Sequence, residues 1–337
     1  LLIRSQALYP VELQAHLVLI LYFMTKNINL IVKPEENNIR VDAFINKRQS
    51  MISRTRIKNL ILKEKLKLND QIIKNPSKKV LSGDTIFLEI PKPKEASLKA
   101  YDFKLNIVFE DDDLLVINKP AGIIMHPGAG NYDNTIVNAL MHYNKNTLST
   151  IGDELRPGIV HRLDKDTTGL LIAARNINSF TFLTRALQER NINRYYIAYV
   201  HGVLMKNGVI NQPISRHKTD RKKMSVNIDG KEAITNYEVI KNYKNSSKLK
   251  LKLHTGRTHQ IRVHMQYEGY PLIGDQTYGF RKSNNINIAE EAKNFPRQAL
   301  HAEILELRHP VKKIFLEIKS NLPDDLNELE KIIDNEK

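Results

Sequence analysis

The sequence predicts an α+β chain in two units. Strand-like runs outnumber helix-like ones after residue 100. The two types do not alternate regularly, as a doubly wound sheet would require. A proline-containing, charged stretch, Pro91 to Ala100 (P-K-P-K-E-A-S-L-K-A), separates a small basic segment from the larger remainder. We place one domain on residues 36–90, a linker on 91–101 and a second domain on 102–330. A chain of 337 residues has room for both, and 41% hydrophobic content supplies a sizeable core.

Composition narrows the partners. Lys and Arg total 52 against 37 Asp and Glu, a net charge of +15. That balance suits a polyanion, with nucleic acid ahead of membrane. The chain has no cysteine, which excludes disulfides, thiolate zinc sites and a cysteine nucleophile.

In chain order, residues 1–24 look unlike the rest. The run His16 to Phe23 (H-L-V-L-I-L-Y-F) is far shorter than a membrane span, and no small-residue cleavage site follows it. We expect Met24 to be the natural start and residues 1–24 to be a non-native or disordered extension. In 36–90, Arg40 to Phe44 begins one helical pattern and Ser53 caps a second, with Ile57, Leu60 and Ile61 on one face. Arg54, Arg56 and Lys58 lie largely off that stripe, as a solvated face would; the overall positive charge favours phosphate contact. Strands follow at Leu66 to Leu68 and Val80 to Ile90, with Asn69-Asp70 as a turn.

In the larger unit, Leu105 to Phe109 and Leu114 to Ile117 flank an acidic turn as a hairpin. Thr135 caps a short helix through His142, and Ser179 begins an amphipathic helix carrying Phe180, Leu183 and Leu187. Arg194 to Val200, Ala233 to Ile240, Leu249 to Leu253, Ala299 to Leu307 and Ile314 to Ile318 read as strands. Thr258 to Tyr267 reads as a helix closed by Gly269, and Leu326 to Ile333 as a terminal helix.

The chemistry concentrates in Arg156 to Arg175, R-P-G-I-V-H-R-L-D-K-D-T-T-G-L-L-I-A-A-R. It reads as strand, polar loop, strand, with His161, Arg162, Asp164, Lys165 and Asp166 between the apolar runs. A loop that only reversed the chain would need no such charge density, although a solvated hairpin tip with local ion pairs would look similar. Paired carboxylates two apart can act as acid and base. D-K-D-T also resembles the D-x-D-x-T of phosphoaspartate phosphatases, but that chemistry needs a later acidic cluster for magnesium, and only Gly274-Asp275 is available. The histidines are scattered without metal-ligand spacing, so we predict no metal. In Leu253 to Met265 (L-H-T-G-R-T-H-Q-I-R-V-H-M), Thr258 would cap the helix, Arg262 would lie one turn inside it and Arg257 in the preceding turn. An arginine projecting into a pocket can favour the charged form of a carboxylate; phosphate contact is the plainer reading of both. Tyr195 and Tyr199 share one face of their strand and Tyr196 points opposite.

Four separated motifs in one order then carry a resemblance: N-K-P at 118–120, H-P-G-A-G-N at 126–131, H-R-L-D-K-D-T-T-G at 161–169 and G-R-T-H-Q-I-R-V-H-M at 256–265. Together they resemble the RluA/RluC/RluD-type ribosomal RNA pseudouridine synthases. Residues 36–90 resemble the small RNA-binding module first seen in small-subunit ribosomal protein S4. The H-P-G-A-G-N wording and the attached module are most similar to the RluD branch. The resemblance implies a mixed, mainly antiparallel sheet with flanking helices and a small α/β S4-like domain. It implies Asp164 as the catalytic aspartate, with Arg262 pairing with it. Arg162 displaces the target nucleotide, and Tyr196 faces the base; the doubled Tyr195-Tyr196 leaves that position open by one. Arg54, Arg56, Lys58 and Arg257 are expected to contact RNA. It implies a cytoplasmic monomer acting on large-subunit ribosomal RNA or its precursors, with no membrane partner.

The reaction breaks the base–sugar carbon–nitrogen bond, turns the base and joins carbon-5 to the sugar. Nothing is oxidised and no group is lost, so no cofactor is required. The demands are an ionised carboxylate, a cation to hold it and a stacked pocket. Attack on uracil carbon-6, attack on the sugar and assisted proton loss from the sugar share those demands. An RNA-binding assembly factor, or a synthase acting on other ribosomal or transfer RNA uridines, would carry much of the same sequence.

Overall fold

The computed structural model describes residues 27–49, 52, 54–90, 101–127, 133–143, 152–153, 156–220, 223–279 and 288–335. The expected extension at 1–24 and most of the expected linker at 91–101 lie outside the described residues. The chain divides into two units between residues 97 and 98.

The first unit contains β1 (Ile28–Ile31), α1 (Val41–Arg48), α2 (Arg54–Leu62), β2 (Leu66–Leu68), β3 (Gln71–Ile72) and β4 (Thr85–Leu88). The strands form one antiparallel sheet in the order β1-β4-β2-β3. Ile57, Leu60 and Ile61 share the core with Val41, Phe44, Ile45, Ile86 and Leu88, as helical spacing predicts. Asn69 and Asp70 hold φ of 50° and 62° in the turn between β2 and β3, the left-handed conformation a tight hairpin demands. β4 is shorter than the expected Val80–Ile90 run. Ser82 to Asp84 form a turn, with Leu81 N–H donating to Asp84 Oδ2 at 2.7 Å. β1 adds a strand ahead of residue 36, because its alternating apolar residues pair with β4.

The second unit contains β5 (Ile107–Glu110), β6 (Leu114–Lys119), α3 (Ile136–Tyr143), β7 (Gly152–Asp153), β8 (Arg156–Pro157), β9 (Thr168–Ala174), α4 (Ile177–Gln188) and β10 (Asn193–His201). It continues with β11 (Gly208–Asn211), β12 (Ile214–Arg216), β13 (Met224–Val226), β14 (Ile234–Asn242), β15 (Ser246–Leu253) and α5 (Gln260–Tyr267). It closes with α6 (Glu290–Lys293), β16 (Leu300–Arg308), β17 (Phe315–Lys319) and α7 (Asp324–Asp334). The main sheet runs β11-β14-β15-β10-β16-β9-β6-β5, with β17 also on β16. Its pairings are antiparallel except β9 with β16, which gives the mixed, mainly antiparallel sheet that was expected.

Alternation on β10 separates the two faces of this sheet. Tyr196, Ala198 and Val200 join a core with Leu249, Leu251, Ile261 and Met265. Ile197 and Tyr199 join one with Leu326, Leu329 and Ile333 of α7. β16 pairs with β10 and with two further neighbours: His301 and Ala302 pair with β9, and Ile304 to Arg308 with β17.

Two helix starts differ from expectation. α4 begins ahead of Ser179, because Asn176 is the cap and accepts from Ser179 N–H at 2.8 Å. α5 begins at Gln260 and is not capped by Thr258. Its N-cap is His259, left-handed at φ 57°, and the Gln260 side chain instead accepts from Arg257 N–H at 3.0 Å. β11, β12 and β13 were not anticipated; each is only three or four residues long.

Candidate active site

The loop of residues 161–167 joins the end of an antiparallel bridge, Ile159 to Ala173, to the start of β9. Leu163 and Thr167 are buried in it, and Asp164 stands between them. Three side chains hold the loop from beneath. Lys119, the last residue of β6, is fully buried, and its Nζ donates to the carbonyls of Pro120 (2.8 Å), Lys165 (2.8 Å) and Thr167 (3.0 Å). Three acceptors match the three hydrogens of an ammonium. Burial pulls the Lys119 pKa down to about 7, while Asp166 and Asp164 act against it. Arg297 Nη1 donates to Asp166 O at 3.1 Å, and its Nε and Nη2 grip Asp325 of α7 at 2.7 and 2.8 Å. Gln298 Nε2 donates to Thr167 Oγ1 at 3.1 Å.

Arg262 rises from the first turn of α5 and donates from Nη1 to Asp164 Oδ2 at 3.0 Å. Its Nε and Nη2 donate to Asp275 Oδ2 and Oδ1 at 2.7 and 2.9 Å. Asp275 Oδ1 also accepts from the backbone N–H groups of Thr277 and Tyr278, each at 2.9 Å. Burial would raise the Asp275 pKa, but Arg262 and those two N–H groups hold it below the usual carboxylate range. Burial would likewise lower the Arg262 pKa, and the two carboxylates hold it well above its ordinary value. The guanidinium lies over the Tyr278 ring, 5.0 Å from its centre. His259 Nδ1 is 2.8 Å from Tyr278 Oη, and its Nε2 is 3.9 Å from the other oxygen of Asp164.

Two cavities meet at Asp164. A cleft of about 640 Å³ is lined by Arg162, Asp164, Arg190, Arg194, Tyr196 and Arg257 among others. A pocket of about 50 Å³ is lined by Leu163, Asp164, Tyr196, Ile261, Arg262 and Leu300 among others. Tyr196 borders both, whereas Tyr195 turns to the opposite face, beneath Lys250 and Lys252. Burial raises the Tyr196 pKa, so its hydroxyl stays protonated. Arg162 is exposed and lines both cavities.

A family model for RNA pseudouridylate synthase matches residues 113–267, and one for the S4 domain matches residues 39–86. The ribosomal large subunit pseudouridine synthase D of Haemophilus influenzae is 45% identical over 302 residues, 88% of this chain and 92% of that protein. The protein of the same name from Escherichia coli K12 is 40% identical over 312 residues, 91% of this chain and 94% of that protein. The chain belongs to the RNA pseudouridylate synthase family. As a pseudouridine synthase it is an isomerase that converts uridine to pseudouridine. The solved structure of human RNA pseudouridylate synthase domain containing 1 agrees, with a TM-score of 0.52 at 26% identity over 67% of this chain and 87% of that one.

The synthase fold therefore brings Asp164, Arg162, Tyr196, Arg257 and Arg262 to one small pocket. Arg257 also donates from Nε to Glu232 O at 2.8 Å. Arg54 and Lys58 lie on α2 of the first unit, and the Arg56 side chain is outside the described residues. Arg54 and Arg40 both hold the Asp42 carboxylate at 3.0–3.1 Å, so part of the α2 charge is already paired. Sequence reasoning missed Asp275 as the partner of Arg262 and weighed it only as a metal ligand; its oxygens are occupied by Arg262 and backbone. It also missed Lys119, although N-K-P drew notice as a motif. Among the described residues, Asp111, Asp113 and His309 have ligand atoms close enough for a metal ion. His309 Nε2 and Lys312 Nζ already hold Asp111 Oδ2 at 2.7 and 2.9 Å.

Proposed function

We propose that this pseudouridine synthase acts on uridines of large-subunit ribosomal RNA or its precursors in the cytoplasm, as a monomer, with Asp164 as the catalytic residue. One observation carries the reading: the line Asp275–Arg262–Asp164, which ends in the cleft. Asp275 locks the guanidinium, and the guanidinium orients one oxygen of Asp164. The other oxygen faces His259, leaving the carboxylate at the junction of cleft and pocket.

In this reading Arg162 enters the RNA stack at the cleft rim as the uridine swings out, and Tyr196 forms the wall against which the base rests. Extruding a base costs a few kcal/mol, least in a loop. Phosphate contacts from Arg257, and from Arg54, Arg56 and Lys58 of the S4 unit, offset that cost. The bond from uracil N1 to ribose C1′ breaks, the bond from C5 to C1′ forms, the C5 hydrogen leaves as a proton and N1 gains one. Atoms balance without a redox partner. The names of the curated relatives support the ribosomal substrate.

The test is chemical mapping of pseudouridine in ribosomal RNA from cells lacking the gene and complemented by native protein or Asp164→Asn. Sites restored by the native protein alone support the reading. Restoration of growth by both proteins without restored sites would instead favour an assembly factor.

A further inference from the structure

Three covered side-chain donors line the cleft with no partner among the described residues; besides the Thr184 hydroxyl, two are nitrogens. The first is His161. Its Nε2 lies 3.0 Å from the Ile172 N–H and accepts from it. A backbone amide only donates, so Nε2 carries no proton, and the neutral ring carries its proton on Nδ1. Burial, with Arg194 acting the same way, pulls the His161 pKa down to about 3, so the ring is neutral near pH 7. Part of the residue is exposed, yet Nδ1 itself is covered and has no hydrogen-bond partner.

The second is Arg194, two residues before Tyr196 on the same face of β10. It is only 7% exposed, and its Nε is covered and unpartnered. Burial lowers its pKa, and no carboxylate among the described residues acts against that; Tyr196 is the group that does. An unpaired buried guanidinium is costly to keep. The chain even makes room for it, because a Cβ on Gly256 would lie 2.9 Å from Arg194 Nη1. Both donors line the wide cleft and neither lines the small pocket.

Resting on the reading of this cleft as the uridine site, we infer that Arg194 and His161 form a seat for one backbone phosphate of the RNA beside the target uridine. A guanidinium without an internal counter-ion matches a group bearing full negative charge and two free oxygens, where a uracil carbonyl would bring no charge. Of the other arginines lining the cleft, Arg162 is exposed at the rim and two are at least partly engaged. Arg190 pairs with Glu232 at 2.5 Å, and Arg257 Nε is held by the Glu232 carbonyl. The seat fixes the register of the strand rather than reading its sequence.

The experiment uses the full chain and a ribosomal RNA fragment in which the native protein forms pseudouridine. Single neutral methylphosphonates replace the linkages around the target one at a time. Arg194→Met is expected to weaken binding of the unmodified fragment about tenfold and to lessen the salt dependence by about one phosphate contact. One methylphosphonate position is expected to weaken native binding about as much and to cost Arg194→Met nothing further. Arg194→Lys should keep part of the affinity. Arg194→Met should also raise the unfolding temperature, since it deletes an unpaired buried charge. Additive losses at every linkage would overturn the seat, while product formation by the native protein would leave the site reading standing. A lowered unfolding temperature in Arg194→Met would overturn it too, as the mark of a structural role. If the native protein modified no ribosomal fragment, the site reading itself would fall and take the seat with it.

Discussion

Arg262 and Asp275 form a two-point ion pair, Nε to Oδ2 at 2.7 Å and Nη2 to Oδ1 at 2.9 Å, and the one terminal nitrogen left over reaches Asp164. The Asp275 side chain is fully buried. Asp275→Asn removes the anion that holds the guanidinium's plane. Breaking a buried pair costs about 3–5 kcal/mol of stability. The misplaced cation should also slow turnover about a hundredfold, as small displacements in a catalytic constellation do. Denaturant unfolding and single-turnover kinetics at saturating RNA measure both. Unchanged turnover would remove Asp275 from the account.

That relationship marks where the sequence stopped being legible. Arg262 and Asp164 could be singled out because each sits in a dense polar motif. Asp275 follows Gly274 in a turn, and nothing local shows that its oxygens face a helix 13 residues upstream. Strands of five or more residues were visible as apolar runs or alternation. β11, β12 and β13 were not, being too short to show a period. Helix starts shifted where the cap fell on a residue other than the nearest Ser or Thr, Asn176 for α4 and the left-handed His259 for α5. Two buried cations, Lys119 and Arg194, were not singled out, because burial depends on pairing across the sheet.

Lys119 gives a pH signature. Its folded pKa is lowered to about 7 from the ordinary 10.5. Between those values the unfolded chain holds more protons than the native one, so this residue's contribution to stability rises with pH across that window. The slope is at most about 1.4 kcal/mol per pH unit. Unfolding free energies of native protein and Lys119→Met should diverge between pH 7 and pH 9. Parallel profiles would contradict the assignment.

Arg297 links α7 to the loop through Asp325 and the Asp166 carbonyl. Arg297→Met should slow the single-turnover rate about tenfold with RNA affinity kept, since it strips the loop of a buried donor. Asp325→Asn should cost less than about 1 kcal/mol, because that carboxylate is 41% exposed. Equal effects from the two substitutions would argue against the loop as the point of action.

Gly169 tests the closure of the sheet behind the catalytic loop. It holds φ of 110°, and a Cβ there would fall 2.2 Å from the Ala302 carbonyl oxygen on β16. Gly169→Ala should destabilise by about 3 kcal/mol or more, through strain and forced separation of β9 from β16. A thermal melt close to native would contradict the close approach.

The most direct measurement is release of tritium from RNA carrying it at uracil carbon-5, with native protein and with Asp164→Asn, both in chelator. Carbon-5 must lose its hydrogen when it bonds to the sugar, so release reports the isomerisation itself. The account predicts release by the native protein, none by Asp164→Asn, and RNA binding by both. Release by Asp164→Asn at the native rate would contradict it.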